Sequence, residues 1–154
     1  MTIHYKGKYN LDPDTLPHGE HKPNAVAFKE AQDTEKLAIA ANAVAFVIIV
    51  LLAIPIVLKI KQYPFSPLQL MLGGIMPMLI MFPHELLHAI CFKKDVYIYT
   101  NFKQGMLFVV GPEDMSKARF IFMSLLPNII FGFIPYIIWL IFPQLLFMGV
   151  FGTL

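Results

Sequence analysis

Three apolar runs, each long enough to cross a lipid bilayer, constrain this fold more than any other feature of the sequence. They cover residues 37–58, 68–92 and 120–142, and a fourth run, 145–154, has only ten residues. Because a helix rises about 1.5 Å per residue, about 20 apolar residues cross about 30 Å of hydrocarbon. We therefore predict an α-helical integral membrane protein with three full spans and a partial fourth.

The charged residues, 14% of the chain against 57% hydrophobic ones, lie mainly in the first 36 residues and in the connecting loops. Prolines at 13, 17 and 23 among polar neighbours predict that the segment 1–36 begins as an extended, weakly ordered arm. Residues 37–154 form the predicted membrane domain. A net charge of +2, without a basic stripe, excludes nucleic acid as an expected partner.

Between the second and third runs the residue pattern changes from helical to strand-like. Residues 96–100 and 106–110 are β-branched and aromatic, and they flank NFKQG, a short segment that ends in glycine. We predict a small β-hairpin over residues 96–110, lying at the membrane surface.

Lysine and arginine residues near the span ends predict the orientation in the cell membrane. Three precede the first span and five lie between the second and third, against Lys59 and Lys61 in the first turn. Since cytoplasmic loops carry the excess of basic residues, this multi-pass protein should have a cytoplasmic N-terminus. The hairpin and the end of the second span near residue 88 should lie on the same side.

The second run contains the sequence HELLH at residues 84–88. In a helix, His84 and His88 project from one face, one turn apart, which is the spacing at which two imidazoles bind one zinc ion. Glu85 points about 100° away and could take a proton from a zinc-activated water. Ionisable groups in an apolar span are costly, by about 2.5 to 3.5 kcal/mol at its centre, which favours a functional role. The alternative is that all three lie at the headgroup level near Lys93 and Lys94.

Pro83 and Asn128 each allow two interpretations. Pro83 either opens a helix by removing the bond to the carbonyl of Leu79, or it simply starts one. Asn128 shares a helix face with Ser124 and Gly132. That face indicates close packing between helices, and the alternative is that Asn128 faces the zinc and binds substrate, orienting a substrate carbonyl or a ligand.

The stretches MFPHELLHAICF and MSKARFIFMSLLPN resemble the site-2 protease group of intramembrane zinc metalloproteases. They resemble more closely a bacterial family of zincin-type membrane peptidases of unknown function. The resemblance implies zinc ligands at His84 and His88, a catalytic Glu85, and an aspartate from a later membrane helix as the third ligand. It also implies that a substrate adds as an extended strand to the sheet beside the site.

No acidic residue follows Asp114, and the run 145–154 is too short to span. We therefore expect a longer native chain, with a further helix that carries an Asp or Glu as the third ligand. Otherwise that ligand would be Asp95, Glu113, Asp114, a histidine of the arm or a partner's residue.

These observations predict a membrane-embedded zinc metallopeptidase that hydrolyses peptide bonds in or near the bilayer. Its partners would be the lipid bilayer and a peptide or membrane-protein substrate. The alternatives are a non-catalytic membrane scaffold or chaperone that keeps the motif, and a small transporter that uses the same residues as an ion path.

Overall fold

The computed structural model of this chain describes residues 1–20, 23–24, 34–63 and 66–154. Within this part of the chain the fold is mostly helical, with one small β-sheet. Its internal contacts define two compact units, the first made of Met1–Pro23 and Met78–Phe131 and the second of Asn24–Pro77 and Gly132–Leu154. The domain boundary expected after residue 36 stays a prediction.

The helices follow the apolar runs. They are α1 (Thr34–Ile60), α2 (Pro67–Leu79), α3 (Met81–Ala89), α4 (Lys117–Pro127), α5 (Ile134–Ile141) and α6 (Leu146–Thr153). A π-helical turn, Asn128–Phe133, joins α4 to α5, and short 3₁₀ turns occupy Pro13–Thr15 and Phe102–Gln104.

Among the described residues, two helices are long and apolar enough to cross a membrane, namely Ala38–Ile60 and Lys117–Ile141. A third candidate is the pair α2 and α3, which is bent by 43° at a break between them. The second predicted span is therefore not one straight helix. The break follows Leu79, whose carbonyl would bond to residue 83 in an unbroken helix, and Pro83 has no N–H to give it. The three full spans and partial fourth of the sequence-based prediction reduce to two or three candidates.

The predicted hairpin is present. Strands β2 (Val96–Asn101) and β3 (Met106–Val110) pair antiparallel, with Ile98 opposite Val109. The turn between them ends at Gly105, whose φ of 64° lies in the left-handed region that glycine adopts without strain.

A third strand, β1 (Ile3–Lys8), pairs parallel with β2 and completes the sheet in the order β1-β2-β3. This corrects the prediction of a weakly ordered arm for these residues. A glycine at position 7 interrupts the strand pattern of this segment. In the fold Gly7 has a φ of 82°, and the register shifts between Tyr5 and Gly7. Its partner strand is also more than 90 residues away, so no local pattern could indicate the pairing.

The second unit has its own apolar core. The indole of Trp139, only 1% exposed, packs with Ile56, Tyr136 and Leu146, which brings α1, α5 and α6 together. The hydroxyl of Tyr136 donates to the carbonyl of Leu52 at 2.8 Å, so the polar atom of this buried ring is satisfied.

Candidate metal centre

Helix α3 brings His84, Glu85 and His88 into one cluster in the first unit. Their ligand atoms all lie within 4.8 Å of one another, and all three side chains are half-buried. The two imidazole rings meet edge to face, with centroids 5.0 Å apart. This is the one-turn spacing expected of an HExxH helix. Two imidazole nitrogens are donors that zinc prefers, so His84 and His88 fit that metal, and Glu85 lies within reach of the same position.

A backbone contact orients the second histidine. The Nδ1 atom of His88 lies 3.1 Å from the carbonyl oxygen of Met123 in α4. A carbonyl oxygen only accepts hydrogen bonds, so Nδ1 carries the proton in this contact. The other ring nitrogen, Nε2, is then the unprotonated one and is available to a metal.

Glu85 lies between the two histidines in sequence and faces the sheet. Its carboxyl group lies near the backbone N–H of Val109 in β3. Strand β3 is an edge strand of the sheet, so the cluster lies beside a strand edge. The candidate base is therefore next to an edge of the sheet.

The chain that leaves α3 is held by an ionic network. Glu113, whose side chain is 5% exposed, accepts hydrogen bonds from the backbone N–H groups of Lys93 and Lys94 and pairs with the guanidinium group of Arg119. Arg119 also donates to the carbonyl of Cys91, so both charges bind backbone groups just beyond the HELLH helix. Burial raises the pKa of Glu113. The N–H groups of Lys94 and Lys93 and the Arg119 charge together lower this pKa by more than burial raises it, so it lies below its ordinary value.

The residues considered for a third ligand lie elsewhere. Asp95 accepts a hydrogen bond from the Thr2 N–H at 2.9 Å and faces His4 at 3.5 Å. These contacts, with the Thr2 N–H the larger cause, hold the pKa of Asp95 below its ordinary value. Within the described residues, the metal-capable cluster does not include Asp95, Glu113, Asp114, His4 or His18. His21 lies outside the described residues.

Asn128, predicted to bind substrate, is exposed at the start of the π-helical turn. Its side-chain amide donates to the carbonyl of Ser124 in its own helix at 3.3 Å. A role of Asn128 in substrate binding stays a prediction.

Sequence patterns did not indicate the roles of Met123 and Arg119, and they indicated Glu113 only as a candidate third ligand. The contact of Met123 is made by its backbone carbonyl, which the residue type cannot reveal. Glu113 lies in the segment before α4, which begins after Ser116, whose hydroxyl accepts from the Arg119 N–H. The burial and the partners of Glu113 are visible only in the fold.

A comparison with protein families agrees with this geometry. The model of a family described as "putative zincin peptidase" matches residues 77–154, which contain the cluster, the hairpin and helices α4 to α6. No curated protein and no solved structure matches the chain significantly.

Proposed function

The chain belongs to the family of putative zincin peptidases, and from this premise we propose that it is a membrane-embedded zinc metallopeptidase that hydrolyses peptide bonds in or near the bilayer. The observation that carries the proposal is the cluster of His84, Glu85 and His88 on α3, whose ligand atoms all lie within 4.8 Å of one another. The zincin family and the apolar helices support it independently.

The residues of the cluster have different tasks in this proposal. His84 and His88 would hold the zinc ion through their ring nitrogens. When bound, zinc supplies a Lewis acid that makes water a nucleophile near neutral pH. Glu85 accepts a proton from the attacking water and passes it to the nitrogen of the leaving amine. The half-buried position of Glu85 limits access of bulk water to that proton.

The substrate is an extended segment of a peptide or membrane protein in this proposal. An extended chain that adds to the edge of β3 makes main-chain hydrogen bonds along the strand. Because Glu85 lies near the N–H of Val109 in that strand, the added segment would run past the candidate base. Bond cleavage would then occur where the segment passes the HELLH helix.

The test uses the purified chain in liposomes with zinc and a panel of apolar peptides as substrates. We expect wild type to hydrolyse at least one peptide, and Glu85→Gln to reduce the rate by several orders of magnitude because the general base is lost. Glu20→Gln, the same chemical change at an exposed residue outside the cluster, is the matched control and should retain the wild-type rate.

Two outcomes would contradict this function. Equal hydrolysis by wild type and Glu85→Gln would remove the base from the mechanism. A zinc-loaded wild type that cleaves none of the peptides would favour a scaffold or chaperone, and movement of zinc into the liposomes would favour a transporter.

A further inference from the structure

Helix α4 contains a proline one turn beyond the carbonyl that His88 contacts. In a regular helix the carbonyl of Met123 accepts the N–H of residue 127, and that residue is Pro127. Proline has no backbone N–H, so the usual partner of this carbonyl is missing. The carbonyl of Met123 instead accepts from Nδ1 of His88 at 3.1 Å.

The helix around Pro127 is rearranged in a consistent way. The backbone N–H of Asn128 donates to the carbonyl of Leu125, and the side-chain amide of Asn128 donates to the carbonyl of Ser124. The turn that follows is π-helical. Pro127 itself is among the fully buried side chains, so solvent does not replace the missing N–H at its position.

We propose that Pro127 is a positioning residue of the metal centre: by leaving the Met123 carbonyl without its helical partner, it reserves that carbonyl for the Nδ1–H of His88. This fixes the tautomer and the ring orientation of His88, with Nε2 directed to the metal. The inference rests on the proposed function for the identity of the metal site. The inference goes beyond the proposed function because it names Pro127, in a different helix, as the cause of the orientation of the His88 ring.

The substitution Pro127→Ala tests this cause directly. Alanine supplies the missing N–H, which competes with His88 for the carbonyl of Met123, and it also favours the helix. We expect the zinc affinity, measured by competition with a chelating dye in detergent, to fall about 10- to 100-fold, the usual effect of losing such an outer partner. Pro55→Ala is the matched control, because Pro55 also lies inside a helix, α1, which contains no histidine. It should retain the wild-type zinc affinity.

A spectroscopic measurement separates the inference from the proposed function. Protein labelled with ¹⁵N in its histidines is examined by NMR without metal, at a pH where the rings are neutral, and the His88 signals are assigned by their loss in His88→Gln. Wild type and Pro55→Ala should show His88 protonated at Nδ1, and Pro127→Ala should shift His88 toward protonation at Nε2. If Pro127→Ala changes neither the tautomer of His88 nor the zinc affinity, the inference is wrong and the proposed function is unaffected.

A wild type that binds no zinc overturns the proposed metal site, while the metal-free tautomer still decides whether Pro127 controls His88. If Pro127→Ala does not fold, a second pair tests the same contact. Asparagine places its side-chain N–H near the position of Nδ1, and glutamine places its own near Nε2. We expect His88→Asn to be more stable than His88→Gln, and equal stability of the two would contradict the assigned hydrogen bond.

Discussion

Glu113 forms an ion pair with Arg119 at the point where the chain leaves the HELLH helix. Each partner also binds backbone groups of the same short segment, Glu113 through the N–H groups of Lys93 and Lys94 and Arg119 through the carbonyl of Cys91. The ion pair therefore holds the segment after α3 against the start of α4.

Removing the charge of Glu113 should weaken this connection. We expect Glu113→Gln to lower the free energy of unfolding by about 2 kcal/mol, because charge-assisted hydrogen bonds to a mostly buried carboxylate are lost and Arg119 is left without its partner. Unfolding in mixed detergent micelles measures the change. Asp95→Asn is the control, since the Asp95 pair with His4 is exposed and should matter much less. Equal losses in both variants would contradict the central role of Glu113.

The stability of the chain should also depend on pH through Glu113. Its pKa is lower in the folded than in the unfolded chain, so its contribution is fully present above the unfolded value of about 4.5 and is lost as the pH falls through the folded value. We expect the unfolding free energy of wild type to drop below about pH 4.5 more steeply than that of Glu113→Gln. Parallel pH profiles for the two proteins would show that Glu113 does not carry this dependence.

Two adjacent glycines in α2 offer a matched test of helix packing in the second unit. A Cβ on Gly73 would lie 2.7 Å from the carbonyl oxygen of Phe147 and from the Cβ of Val150, whereas a Cβ on Gly74 meets nothing within 4 Å. Gly73→Ala should therefore cost about 1 to 3 kcal/mol of unfolding free energy through overpacking against α6. Gly74→Ala should be neutral or stabilising. Equal unfolding free energies of the two variants would contradict the close contact of Gly73 with Phe147 and Val150 of α6.

The pairing of β1 with β2 supports a specific membrane topology. Two hydrogen-bonded strands lie on the same side of a bilayer, so the chain between Lys8 and Val96 must cross it an even number of times. If α1 crosses once, the bent pair of α2 and α3 must cross as well, which favours a broken span over a re-entrant loop.

We therefore expect the N-terminal segment and the hairpin to share one side, and the basic residues near the span ends favour the cytoplasm. Single cysteines placed at Thr15 and Lys103, in a chain with Cys91 replaced by alanine, can be labelled with a membrane-impermeant maleimide in intact spheroplasts and in inverted vesicles. Both positions should react only in inverted vesicles. Labelling of the two positions from opposite sides would contradict the parity of crossings.

Sequence patterns predicted the features that depend on local spacing. The interval of four residues between His84 and His88 is enough to place both rings on one helix face. The β-branched and aromatic residues on either side of NFKQG are enough to predict the hairpin. The pairing of β1 and the contact of His88 with Met123 depend on residues far apart in the chain and partly on backbone atoms. No residue type encodes such contacts, so they required the fold.

The measurement that tests the central claim most directly is the zinc content of the purified wild-type chain beside His84→Ala and Glu85→Gln. A metal centre built on His84 and His88, with Glu85 as the base, predicts zinc in wild type, an equal amount in Glu85→Gln and its loss in His84→Ala. Circular dichroism on each sample establishes that the helices are retained. Zinc absent from the folded wild type, or equal amounts in wild type and His84→Ala, would contradict the metal centre proposed for this protein.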